Sequence, residues 1–226
     1  MKELNIGAPM KSRVLTIVLA TGLFFSALYL ATRAGTAHIP GNQQDYEPVQ
    51  PIAYSHRLHA GELQMPCLYC HFNAEKSRHA GIPPAAVCMN CHTMVTATFG
   101  AVRAEEELAT KEQRKPRTLV SPELRKIYDA LGLDANRKPD PARAMKPIAW
   151  TRVYKLPDFV YFDHRAHVSA GVICQTCHGP VEAMERMRQV PDLSMGWCVN
   201  CHRAATRNGV AGKKVYASID CSTCHY

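Results

Sequence analysis

All ten cysteines of this 226-residue chain fall into five C-x-x-C-H motifs: "CLYCH" (67–71), "CMNCH" (88–92), "CQTCH" (174–178), "CVNCH" (198–202) and "CSTCH" (221–225). Two cysteines one turn apart suit zinc, a redox disulfide or an iron-sulfur cluster equally well, but none of these needs a histidine directly after the second cysteine. Covalent haem c needs both residue types: two thiols add to the vinyl groups as thioethers, and the adjacent imidazole reaches the iron. The spacing therefore predicts five haems c attached through Cys67, Cys70, Cys88, Cys91, Cys174, Cys177, Cys198, Cys201, Cys221 and Cys224, with His71, His92, His178, His202 and His225 as proximal ligands. Zinc ribbons use cysteine pairs in twos, so five pairs leave one over, and disulfides at this spacing are strained. Neither alternative accounts for the histidines, and no zinc is expected.

A second ligand for each iron is also present. "YSHRLHAGELQMPCLYCH" (54–71) and "FDHRAHVSAGVICQTCH" (162–178) share an aromatic, then H-R-x-H, then seven or six residues, then a motif. This is an internal repeat. His56 with His59, and His164 with His167, are three apart and share one face of a helical turn. His79, nine residues before Cys88, is the fifth candidate. Setting aside His38, beside the apolar N-terminal segment, five histidines remain for five irons. A methionine replacing one of them would raise that haem's potential, and Met184 and Met195 are the candidates.

The distal set also separates functions. A multihaem enzyme such as a nitrite reductase needs an open iron position and usually a lysine in place of a motif histidine; here every motif ends in histidine. The formal charge of +8 would suggest an acidic partner or nucleic acid. Two propionates per haem bring the oxidised protein to roughly +3, however, and no separate nucleic-acid patch is found.

These ligands must be positioned by little protein. Fewer than forty residues per haem follow His38, rich in Pro, Gly and charge, so each segment mostly wraps a porphyrin. The expected fold is mainly α with extensive loops and a haem-filled core. A two-haem module (38–100) and a three-haem module (150–226) flank a charged connector (101–149). The connector carries one helix signal, "SPELRKIYDALG": Ser121 caps, Pro122 fits the first turn, Leu124, Ile127, Tyr128 and Leu131 share a face, and Gly132 terminates.

Residues 14–32, "VLTIVLATGLFFSALYLAT", carry no charge over nineteen positions, enough for one transmembrane helix. Lys2, Lys11 and Arg13 precede it, which places residues 1–13 in the cytoplasm and everything after Arg33 on the periplasmic side of a bacterial inner membrane. The competing reading is a signal peptide cleaved near Gly35 and Ala37.

The F/Y-x-H-x-x-H before C-x-x-C-H resembles the class III, cytochrome c7-like multihaem modules. "YSHRLHAG", "HAGIPPAAVCMNCH", "LPDFVYFDHRAH" and "MGWCVNCHR", with the anchor and five motifs, are similar to the pentahaem cytochrome subunits of bacterial alternative complex III. That resemblance implies a subunit of a quinol oxidoreductase, with membrane and iron-sulfur partner subunits and a periplasmic electron acceptor, and no catalysis by this chain alone. "CMNCHTM" also echoes the first motif of self-contained quinol dehydrogenases of the NapC and NrfH type, but here it is the second of five.

Overall fold

The computed structural model describes residues 10–34 and 43–226. Two compact units divide the chain, one reaching to Pro40 and one from Gly41 to Tyr226. Lys2, Gly35, Ala37 and His38 lie outside the described residues, as do the predicted cytoplasmic positions before Met10.

In the first unit, helix α1 (Met10–Ala34) contains the 20-residue stretch Arg13–Thr32, whose mean hydropathy is 2.2. At 1.5 Å rise per residue, twenty residues reach about 30 Å, the thickness of a bilayer's hydrocarbon core. Polar groups in that stretch turn inward on their own helix: the Thr21 hydroxyl donates to the Ile17 carbonyl, and Thr32 Oγ1 to the Tyr29 carbonyl at 2.8 Å. Such a helix can serve as an anchor or as a signal.

The second unit is short helices joined by loops. Its only β pairing among the described residues is three isolated bridges, Leu133 with Pro139, Val160 with His225 and Val210 with Lys213. Each C-x-x-C-H motif sits on a helical turn: α2 (Cys67–Cys70), α3 (Ala85–His92), α7 (Gln175–His178), α8 (Met195–Asn208) and α9 (Cys221–Cys224). Between the two groups of motifs lie α4 (Phe99–Lys111), α5 (Pro122–Ala130) and α6 (His164–Ser169).

Little of this unit is buried by protein alone. Ile52, Ala74, Ala109, Ile127, Tyr128, Leu133, Val153 and Met184 are the buried hydrophobic residues. Among the described residues, Ile52, Ile127, Tyr128 and Leu133 form an apolar cluster, flanked by Cys88 and Met89 of α3. The predicted connector helix is therefore a buttress. Ser121 Oγ accepts from the Leu124 amide, Pro122 opens α5, and Tyr128 donates its hydroxyl to the His92 carbonyl at 2.6 Å. The connector holds a second helix, α4, where the sequence predicts a single one. Thr98 caps it, and the guanidinium of Arg114 closes its end on Glu105 and Glu112 at 2.5 and 2.6 Å.

The two repeat copies differ in one instructive way. His164 opens an ordinary α-turn, α6, which ends at Gly171 in the left-handed region (φ 89°), with the Val172 amide reaching back to the His167 carbonyl at 3.1 Å. The first copy runs instead as a π-turn, Arg57–Glu62, with the Leu63 amide bonded to the Leu58 carbonyl and Gln64 taking the left-handed position (φ 53°). In both copies the left-handed residue stands three before the first cysteine. The extra residue of the first copy is thus absorbed between His59 and Gln64, since an i→i+5 turn holds one more residue than an α-turn. Gly61 lies in that turn, where a Cβ would collide with the Glu182 carbonyl of the 3-10 turn Val181–Ala183.

Candidate functional site

Start with the aromatic that opens each repeat. Tyr54 stacks on His59 (centroids 4.4 Å, planes 23° apart) and meets His56 edge-on (4.9 Å, 85°). Phe162 does the same with His167 (4.5 Å, 28°) and His164 (4.9 Å, 88°). One ring therefore wedges two imidazoles into fixed, nearly perpendicular planes. The sequence showed the aromatic as part of the repeat but not this role.

The imidazoles of the pairs face the motif histidines. His59 and His92 have centroids 6.2 Å apart, His164 and His178 6.3 Å, and His167 and His202 5.9 Å. Two rings bound to one metal from opposite sides, at about 2 Å per metal–nitrogen bond, have centroids roughly 6 Å apart. His56 has His71 and His59 as neighbours, so in each copy the first histidine of the pair approaches the nearer motif and the second the next one.

Ring nitrogens are sorted to match. Nδ1 donates to a backbone carbonyl in His59 (Ser55, 2.8 Å), His71 (Gly81, 2.7 Å), His92 (Val95, 2.7 Å), His164 (Arg78, 2.8 Å), His167 (Asp163, 2.8 Å) and His202 (Ser218, 2.6 Å). That hydrogen bond fixes the tautomer and leaves Nε2 with its lone pair free for a metal. Burial, aided by neighbouring imidazoles, pushes His56 and His178 down to about 4, so both rings are neutral at pH 7. Nδ1 of His56 is buried without a partner. Tyr154 lies 4.4 Å from the His178 ring and is itself fixed by donating to the Arg188 carbonyl at 3.1 Å.

None of the ten cysteines forms a disulfide, and the motifs bring their cysteines together. Cys70 neighbours Cys88 and Cys91, Cys67 neighbours Cys174, Cys177 neighbours Cys201 and Cys198, and Cys198 neighbours Cys224. Burial raises the Cys70, Cys88, Cys174 and Cys198 thiols, and Cys177 to about 11.

The remaining two candidates are less enclosed. His79 is exposed, its amide donating to Ser77 Oγ at 3.3 Å. His225 stacks on Phe159 with centroids 5.7 Å apart. They share a neighbour: the Arg78 guanidinium lies 4.5 Å above the Tyr161 ring, and the Tyr161 amide donates to the Cys224 carbonyl at 2.8 Å. Of the two methionine candidates, Met184 is buried and Met195 is 70% exposed.

Haem c fits these residues on three counts: thiol pairs on helical turns, imidazoles facing one another at a spacing that admits one metal, and a small protein core. Residues 160–226 match the family described as cytochrome c7 and related cytochrome c. Over 203 residues the chain is 24% identical to the multihaem cytochrome c subunit of menaquinone reductase from Nitratidesulfovibrio vulgaris (strain Hildenborough), a match covering 78% of this chain and 76% of that protein. The chain is thus multihaem cytochrome c7-like and distantly related to that subunit.

Proposed function

We propose that this chain is a membrane-anchored pentahaem cytochrome c that conducts electrons within a quinol oxidoreductase complex, of the alternative complex III type, toward a periplasmic acceptor. The three facing imidazole pairs, at 5.9–6.3 Å, carry the reading. Bound haem supplies a one-electron couple at each motif.

The chain's own residues hold and insulate those couples. Cysteine pairs would tether each haem; His92, His178 and His202 would each supply one imidazole ligand, and His59, His164 and His167 the second. His56 completes the site of His71. His79 completes that of His225, a pairing supported by the Tyr161 link between the Arg78 side chain and the Cys224 carbonyl. Two imidazoles per iron leave no open position, so the protein makes and breaks no substrate bonds. With histidines for all five irons, Met184 and Met195 would be packing and surface residues.

Helix α1 serves as the anchor, with the second unit on the periplasmic side. A single helix encloses no quinone pocket, because such pockets form between several helices or at an interface. Quinol chemistry and iron-sulfur clusters then belong to partner subunits. A second reading, favoured by the distant menaquinone reductase relative, runs the same conductor in reverse, from a periplasmic donor toward menaquinone.

Denaturing mass spectrometry of the mature chain tests the reading: the polypeptide plus five haem masses is expected, and four or fewer would overturn it. Reduction of the purified chain by a quinol analogue alone would favour the self-contained dehydrogenase instead.

A further inference from the structure

We propose that the five sites lie in one unbranched file whose spatial order is second, first, third, fourth and fifth motif, so that the chain's two electron ports are the sites of His92 and His225. The inference rests on the reading of the motifs as haem sites and adds their connectivity, which sequence order alone does not give.

Four junctions define the file. His56 and His59 share one turn and one wedge, Tyr54, so the sites of His71 and His92 are neighbours; Asn90 Nδ2 donates to the Tyr69 hydroxyl at 2.9 Å across the same junction. His164 and His167, on α6 around Phe162, join the sites of His178 and His202 in the same way. The two halves meet at the first and third motifs. There the Cys67 and Cys174 thiols are neighbours, the Arg57 amide donates to the Met184 carbonyl at 2.8 Å, and Gly61 lets the π-turn close on Glu182. At the last junction His202 Nδ1 donates to the Ser218 carbonyl at 2.6 Å, while Ser218 Oγ contacts Asp220 and Thr223 at the head of α9.

The order has a physical consequence. Each histidine pair bridges two sites within its own repeat, and the thiols of Cys67 and Cys174 bring the two repeats together at the centre. Electrons entering at His92 therefore cross every site before reaching His225, and removing any one interior site interrupts the file.

The test is to locate the five irons in the haem-loaded full-length chain by anomalous scattering at the iron edge, or in a density map of the detergent-solubilised protein. The iron at His71 should be flanked by those at His92 and His178, with the irons at His92 and His225 the farthest pair. Five irons in another order, such as the His225 iron beside that of His71 or His92, overturn this inference alone; fewer than five overturn the haem reading as well. In solution, His59→Met should raise the midpoint of the second site. The interaction shift should then appear chiefly at the first site, followed by site-resolved NMR through a redox titration. A larger shift at the fourth or fifth site would overturn the order.

Discussion

The imidazole rings of His164 and His178 lie within 11° of parallel at 6.3 Å, whereas those of His59 and His92 cross at 62°. Parallel axial rings direct their π interactions at one iron d orbital and split the pair; crossed rings leave the two nearly equivalent. The oxidised protein should therefore show two classes of low-spin ferric EPR signal, an ordinary rhombic one and one with a markedly larger principal g value. His164→Ala should remove part of the rhombic signal and create one carbon monoxide-reactive haem, where the parent protein shows almost none.

Tyr128 is 1% exposed and anchors the C-terminal end of α3 through its hydroxyl bond to the His92 carbonyl. Tyr128→Phe leaves that carbonyl without its donor and should lower stability by about 1–2 kcal/mol in denaturant unfolding of the haem-loaded protein.

Gly61→Ala places a methyl group against the Glu182 carbonyl at the meeting of the two repeat halves. A loss of about 1–3 kcal/mol is expected, the usual cost of overpacking. Gly100→Ala in α4 meets nothing within 4 Å and should leave the melting temperature unchanged or slightly raised.

Gln64 holds the left-handed conformation that Gly171 holds in the other copy. Gln64→Gly should stabilise the protein by about 1 kcal/mol, because the left-handed region costs a side-chain-bearing residue roughly that much. Thermal melts of the two proteins side by side measure it.

Glu105 accepts side-chain hydrogen bonds from Arg114 and a backbone one from the Arg117 amide, which hold its carboxyl at about 2, against 4.5 ordinarily. A depressed carboxylate stabilises the fold above its unfolded pKa and loses that contribution as pH falls toward the folded one. Between about pH 5 and 2 the melting temperature of the parent protein should therefore fall more steeply than that of Glu105→Gln, whose difference from the parent shrinks as the acid limb is descended.

The candidate ligand set can be read from the sequence because attachment chemistry dictates residue type and spacing: a thioether pair and a proximal imidazole have one compact spelling. The H-x-x-H pairs were legible through repetition. Which imidazole faces which was not, because those contacts join segments far apart in the chain, as when His167 meets His202. Helix α5 could be read from its cap and apolar face. Helix α4 could not: Ala109 is its only buried residue, and its closure depends on Arg114 reaching back to Glu105. The π-turn left only a trace, the seven residues between His59 and Cys67 against six in the other copy.

That turn gives the repeat a tolerance for insertion. Its surplus residue loops out after His59 and before the left-handed residue, so neither the His56–His59 spacing nor the three-residue run into Cys67 changes. Duplicated copies of a ligand cassette can then drift in length at this one place while their binding geometry stays in step, and a designer transplanting the cassette has a single position at which slack can be added or withdrawn.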